Sequence, residues 1–233
     1  MNNIRYKMKA IKKDFVEPDT ESFCGRKKLT SGKAYFLVNE DGKTFMAGTQ
    51  CAMQYSQTDL SSVPDFTTSL LVNFTKDSQG IHASSHLITK QQEQNKKSLA
   101  LTYLLLREEI LKELDFINVS YPSLQSYYQE YLKNGNISQE AMKHICNLMV
   151  VQKKFKKFCL ENLLTCYAYH YKMKKALQYT NEEGINYINS LLTYLKRRYH
   201  LTKDQISGLS NWFQHIKCKE IREAKLKNFV FQG

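Results

Sequence analysis

Lys153, Lys154, Lys156 and Lys157 crowd one short run of this sequence, and Lys196-Arg197-Arg198 forms a second. Ammonium and guanidinium groups grouped in this way neutralise phosphate oxygens, which fixes a nucleic-acid backbone without reading its bases. Advancing about 100° per residue from Lys153 puts the four lysines on one side of a helix. Phe155, Phe158 and Cys159 then fall on the other, so the pattern predicts an amphipathic helix with a cationic outer face. Further on, Leu160, Leu163, Leu164, Tyr167, Ala168 and Tyr171 follow a helical stripe. Tyr169 lies off that stripe near Lys172, with Lys175 following. A ring beside a cation suits stacking on a base while the charge meets phosphate. The candidate binding set is therefore Lys153, Lys154, Lys156, Lys157, Tyr169, Lys172, Lys175, Lys196, Arg197 and Arg198.

The charge totals strengthen this reading. Net charge is +12, and residues 136–233 hold 17 Lys and Arg against 7 Asp and Glu, or +10. The first 135 residues hold 17 against 15, or +2. Such a field attracts polyanions and steers their encounter. Each cluster alone is also explained by a solvated helical face, or by the preference of helix C-termini for cations. Their concentration in one region is not, because an ordinary protein surface mixes both signs.

Catalytic patterns do not compete with the basic clusters. The sequence has no phosphate loop, dinucleotide fingerprint, His-Glu-x-x-His or nucleophile elbow. His144, His170, His200 and His215 are scattered and suit surface or partly buried roles. Glu109 and Glu113 share a helical face and would suit a nuclease metal, but Arg107 and Lys112 beside them predict a solvated, charge-balanced face. Cys146, Cys159 and Cys166 read as small core residues. The expectation is a non-catalytic protein.

The elements that must position these residues are mostly helical. Ala34–Val38 and Thr44–Met46, joined through Asn39-Glu-Asp-Gly42, predict a β-hairpin. Residues 76–96 are polar and read as a linker or loop. From residue 97 the pattern turns helical, with Leu101, Leu104, Leu105, Ile110, Leu111 and Leu114 on one stripe. A helix after Pro122 should stop at Asn134-Gly135, and Ser138 should cap the next. Thr180 to Glu183 and Thr202 to Gln205 both match the capping box, predicting helices over 181–199 and 203–217. The fold class expected is α+β and predominantly α, with a small β-hairpin module over 1–75 and a helical domain with a basic surface over 97–233.

Cys24-Gly-Arg26 with Leu29-Thr30, followed by the hairpin and by Gly48-Thr-Gln-Cys51-Ala52, resembles the treble-clef or zinc-ribbon-like modules at the front of small phage and plasmid proteins. The resemblance covers about 30 residues. It departs where Glu21 occupies the position expected for the first cysteine of the knuckle. The resemblance implies Cys24 and Cys51 as ligands, and His82 and His86, four apart, would complete a Cys₂His₂ structural zinc site. Without the metal, the module keeps a hydrophobic hairpin fold. Leu201 to Gln205 with Asn211-Trp-Phe213 resembles C-terminal helices of mobile-element proteins.

No run of about 18 apolar residues is present, and the basic N-terminus lacks the apolar core of a signal peptide. The expected setting is the host cytoplasm, with free thiols and no membrane partner. These readings point to a protein that binds nucleic acid or a host nucleoprotein complex through basic helices. With the resemblances, they suggest a mobile-element inhibitor of a defence complex, anti-CRISPR-like in its mode. The alternative is a sequence-nonspecific DNA- or RNA-binding accessory protein of phage or plasmid replication. Oligomeric state is left open.

Overall fold

The computed structural model describes residues 8–17, 19–25, 27–68 and 88–233, with the backbone alone for residues 88–94. The fold is α+β and mostly helical. Its contacts divide it into two compact units, Met1–Leu105 with Pro122–Cys146 and Leu106–Tyr121 with Asn147–Gly233. Among the described residues no helix is long and apolar enough to cross a membrane.

The first unit carries a three-stranded antiparallel sheet in the order β1 (Lys9–Phe15), β2 (Lys33–Val38), β3 (Thr44–Ala47). The hairpin between β2 and β3 forms as the sequence predicts, with Leu37 opposite Phe45. Gly42 takes φ +79° in its turn, and the Asn39 side chain accepts from the amides of Asp41 and Lys43 at 3.1 and 2.8 Å. β1 is an addition to the sequence reading. A bulge between Ala10 and Lys12 breaks its alternation, so that Ala10, Ile11 and Lys12 are all buried. Lys12 is accommodated by an ion pair with Asp14 at 3.3 Å and by the Phe36 ring, 4.6 Å from its ammonium.

Helix α1 (Thr49–Tyr55) closes one side of this sheet. Met8, Ala10, Leu37, Ala47, Ala52 and Val63 form the core there, with Phe23, Phe45 and Tyr55 packed around it. The same unit contains α2 (Ile88–Leu105) and α4 (Pro122–Asn134). Because α2 starts at Ile88, residues 88–96 of the segment expected as a linker over 76–96 are helix instead, and residues 76–87 lie outside the described residues. Tyr131 of α4 donates to the Ile11 carbonyl at 2.7 Å, joining helix and sheet. α4 ends as predicted, with Gly135 in the left-handed region at φ +68°.

The second unit begins with a π-helical turn, Leu106–Ile110, followed by the short α3 (Leu111–Glu113). Here the expected solvated face holds for Lys112 and Glu113, which are exposed, and is overturned for Arg107 and Glu109. Glu108 and Glu109 are 3% and 8% exposed, and Arg107 is buried beside them. The π turn inserts a residue into the helical phase and swings this run inward. Glu108 accepts from the Ser120 hydroxyl at 2.6 Å and the Tyr121 amide at 2.8 Å. Arg107 donates to the Val119 carbonyl at 2.7 Å. These partners satisfy the charges and fix the 116–121 segment against the helix.

α5 (Gln139–Phe155) starts from Ser138, whose hydroxyl accepts from the Ala141 amide at 3.2 Å. The residues of α5 through Cys146 belong to the first unit and those from Asn147 to the second, which also holds α6 (Leu160–Ala176), α7 (Glu182–Arg198), α8 (Lys203–Gln214), α9 (Lys219–Arg222) and the C-terminal segment. The capping box at Thr202 and Gln205 forms in full. That at Thr180 does not: Asn181 caps α7 through its side chain, accepting from Gly184, and the Thr180 hydroxyl accepts from the Trp212 indole at 3.0 Å.

Candidate nucleic-acid interface

The helix predicted to run through Lys153 to Cys159 stops at Phe155. Lys156 adopts φ +62°, its amide donates to the Gln152 carbonyl at 2.9 Å, and the chain turns before α6 begins. Lys153 and Lys154 thus occupy the last turn of α5, where the helix dipole favours cations. Lys156 and Lys157 extend the cluster beyond the helix end. Lys153, Lys154 and Lys156 are exposed, and Lys157 is half-buried with its ammonium 5.0 Å from the Tyr199 ring and 5.2 Å from Phe158.

α7 ends in a similar way. Lys196, Arg197 and Arg198 fill its last turn, and Tyr199 follows in the left-handed conformation at φ +64° with its amide on the Leu195 carbonyl at 2.8 Å. Arg197 and Arg198 are exposed. Lys196 lies 3.6 Å from the Asp115 carboxylate.

Asn162, fully buried in the first turn of α6, brings the two basic ends together. Its side-chain amide donates to the Lys157 carbonyl at 3.0 Å and to the Tyr199 carbonyl at 2.9 Å. Its oxygen accepts from the Phe231 amide at 3.3 Å. The rings of Phe158 and Tyr199 meet edge to face at 5.0 Å, and the Arg107 guanidinium lies 4.8 Å from Phe158 on the inner side. Tyr199 is anchored in turn by its hydroxyl on the Ile117 carbonyl at 2.8 Å. Two runs distant in sequence therefore meet, at Lys157 and Tyr199, over one buried side chain. Lys153, Lys154 and Lys156 precede that point on one run, and Arg197 and Arg198 precede it on the other.

Tyr169, Lys172 and Lys175 lie two turns or more along α6 from Asn162. Tyr169 is corrected outright. It is 3% exposed, donates its hydroxyl to the Lys227 carbonyl at 2.6 Å and packs against Phe229 at 4.8 Å. The C-terminal segment folds over it, so no base can stack there. Lys172 is half-buried and its ammonium pKa is lowered, chiefly by burial. Lys175 is hydrogen-bonded to Glu220 of α9. The cations of α6 are partly balanced by that neighbouring helix.

An aromatic that the helical projection placed on the buried side is instead exposed at the end of α5. Phe155 is 66% exposed, and Val151, one turn before it, is 48% exposed. Val150 is 65% exposed. The local signal was an aromatic flanked on both sides by lysine pairs. The projection hid it because it assumed the helix continued.

For the metal set, Cys24 and Cys51 are both half-buried in the first unit. Cys24 lies 3.5 Å from the Ser22 hydroxyl, and Cys51 sits in α1 against the core. His82 and His86 lie outside the described residues. Among the described residues, no three His, Cys, Asp or Glu side chains are grouped to hold a metal ion.

Comparison with family models, with curated proteins and with solved structures finds no match to this chain.

Proposed function

We propose that this protein binds nucleic acid, free or within a nucleoprotein complex, through the cationic surface at the ends of α5 and α7. The observation that carries this reading is the Asn162 joint, which holds Lys157 and Tyr199 together and with them the two basic runs. Isolated lysines on separate solvated faces would need no such tie. Contacts are to phosphate, so the binding is not base-specific, and the reading assigns no chemical step to the protein.

The magnitude expected is large. If each of the six cations around the joint meets one phosphate, log Kobs against log salt has a slope of roughly −4 for single strands and −5 for duplex. Affinity then falls by about 300-fold or more between 50 and 200 mM salt. Fluorescence polarisation with a labelled oligonucleotide across that range is the test. Replacing Lys153, Lys154, Arg197 and Arg198 by Ala should flatten the slope by about 3 to 4 units. Absence of binding to any DNA or RNA at low salt would refute the proposal. The same cations would serve an inhibitor that occupies the nucleic-acid groove of a defence complex, because the chemistry recognised is the same.

A further inference from the structure

Phe155 is the feature that phosphate binding alone does not use. A phenyl ring left 66% exposed at a helix end, with Val151 exposed one turn before it, keeps apolar area in water whose burial against a partner is favourable. Its nearest chain neighbours on both sides are lysines, of which Lys153, Lys154 and Lys156 are exposed. The occupant must therefore offer a flat or apolar face together with negative charge. Building on the nucleic-acid reading above, we infer that this surface selects single-stranded nucleic acid, with Phe155 stacking on an unpaired base while the lysines around it hold the adjoining phosphates.

Two arguments favour a base over other anionic partners. The first is size. One phenyl and two isopropyl groups expose far less than the roughly 800 Å² that each partner contributes to a standard protein interface. A single nucleobase is enough to cover a phenyl ring, and every base has a π-face, so no sequence is read. The second is charge. The exposed side chains nearest Phe155 in the chain are cationic, which complements a strand carrying a phosphate at every nucleotide. A duplex keeps its base faces stacked and offers this ring only its outer backbone. Strand separation, or a strand already single, is what exposes the face that Phe155 can take.

The lysine positions suit that arrangement. Val151 and Phe155 are one helical turn apart on the same side, and Lys154 follows Val150 by one turn. An apolar row, Val151 and Phe155, thus runs beside a row that ends on Lys154 in the last turn of α5. A strand lying along them would place base and backbone on different rows. Lys156, exposed and left-handed in its backbone, follows directly past the helix end.

The experiment compares a fluorescein-labelled single-stranded dT 15-mer with a duplex of the same length at low salt, for the parent protein, Phe155→Ala and Phe155→Trp. Because the side chain is largely exposed, neither variant should disturb the fold, which circular dichroism checks. The parent should bind the single strand more tightly. Phe155→Ala should lose about 5- to 150-fold on the single strand and little on the duplex, the loss expected for one stacked base. Phe155→Trp should retain or improve single-strand binding. A single strand with 2-aminopurine in place of one base should be quenched by the parent and not by Phe155→Ala.

Equal affinity for both forms, with Phe155→Ala unchanged on either, would overturn the stacking proposal and leave phosphate binding standing. Equal loss on both forms would overturn it as well, because the ring would then serve general contact. No binding to either form would remove the nucleic-acid reading itself. Phe155-dependent binding to phosphatidylserine vesicles without oligonucleotide binding would assign the patch to a membrane surface, against the proposal.

Discussion

Replacing Asn162 tests whether the joint between the two basic runs is held as described. The residue is fully buried, and its side chain makes three hydrogen bonds to backbone groups of Lys157, Tyr199 and Phe231. Asn162→Ala leaves those groups without that partner. A buried backbone group left unpaired costs about 1–3 kcal/mol. The Tyr199 carbonyl keeps a second contact from the Cys166 thiol at 3.3 Å, and Lys157 is near enough to solvent for water to replace its partner. Those two facts hold the total to about 3 kcal/mol rather than the sum of three full penalties.

Trp212 is the single tryptophan of the chain and lies in the same unit. Its fluorescence therefore follows the unfolding of that unit directly. With a urea m value of about 2 kcal/mol/M, the midpoint should fall by about 1.5 M. Asn162→Asp keeps the volume but replaces the donor by a carboxylate facing two carbonyl oxygens. It should be at least as damaging as Asn162→Ala. A midpoint for Asn162→Ala within about 0.3 M of the parent would refute the joint. A stable Asn162→Asp would refute the donor role of the amide. At urea-free conditions where the variant is folded, oligonucleotide affinity should fall by about tenfold, as the two cationic runs lose their common register. Unchanged affinity would mean that the runs act separately.

Lys156→Gly should relieve a left-handed backbone and stabilise the protein by about 0.5–1 kcal/mol, while lowering the salt slope of oligonucleotide binding by about 1; a loss of stability would show that the turn does not strain Lys156. Gly184→Ala gains helix propensity but drives a methyl into the Thr180 hydroxyl and to 2.6 Å from the Trp212 ring, so it should cost about 1–3 kcal/mol by urea unfolding and shift the Trp212 emission. His170 is buried with its Nε2 unpartnered, and burial first, then Lys196 and Lys174, hold its pKa down to about 4, against the opposing Asp115. The unfolded chain, near 6.5, binds the proton more readily, so the stability from neutral His170 is complete above pH 6.5 and lost as pH falls toward 4. His170→Leu should show a shallower loss of stability over that window, and parallel curves would refute the linkage.

The sequence made local signals readable where one neighbour sufficed. The Asn39 to Gly42 turn, the Gly135 stop and the Thr202 capping box each need partners within a few residues, and each appears where expected. Tertiary partners explain the departures. Thr180 lost the capping role because Asn181 offers the same acceptor one residue later and because Trp212 occupies the hydroxyl. β1 was obscured by Lys12 and Asp14, which only a bulge and a nearby Phe36 ring make compatible with a buried strand. Tyr169 read as exposed because its helix shows a free side there, whereas the chain some sixty residues on returns to cover it. The two basic runs were visible separately. Their meeting depends on Asn162, whose role no local pattern reveals.

That meeting changes the weight of the usual explanation for basic helix ends. Cations in a last turn answer the helix dipole, and each C-terminus presents about −0.5 of a charge. Two such ends brought together amount to about one negative charge, screened further by water. Lys153, Lys154, Lys156, Lys157, Arg197 and Arg198 exceed that need several times over. Other cations of the unit have acids beside them: Lys175 pairs with Glu220, and Lys196, in the same last turn of α7, with Asp115. The tail alternates Lys219 and Arg222 with Glu220 and Glu223. Among the described residues no ion pair reaches these six, although Glu161 directly precedes Asn162, and an excess of this size raises self-repulsion that a folded surface does not require. On the proposed function a polyanion relieves that repulsion, and the exposed Phe155 ring next to Lys154 and Lys156 is what directs the proposed single strand to this end of α5.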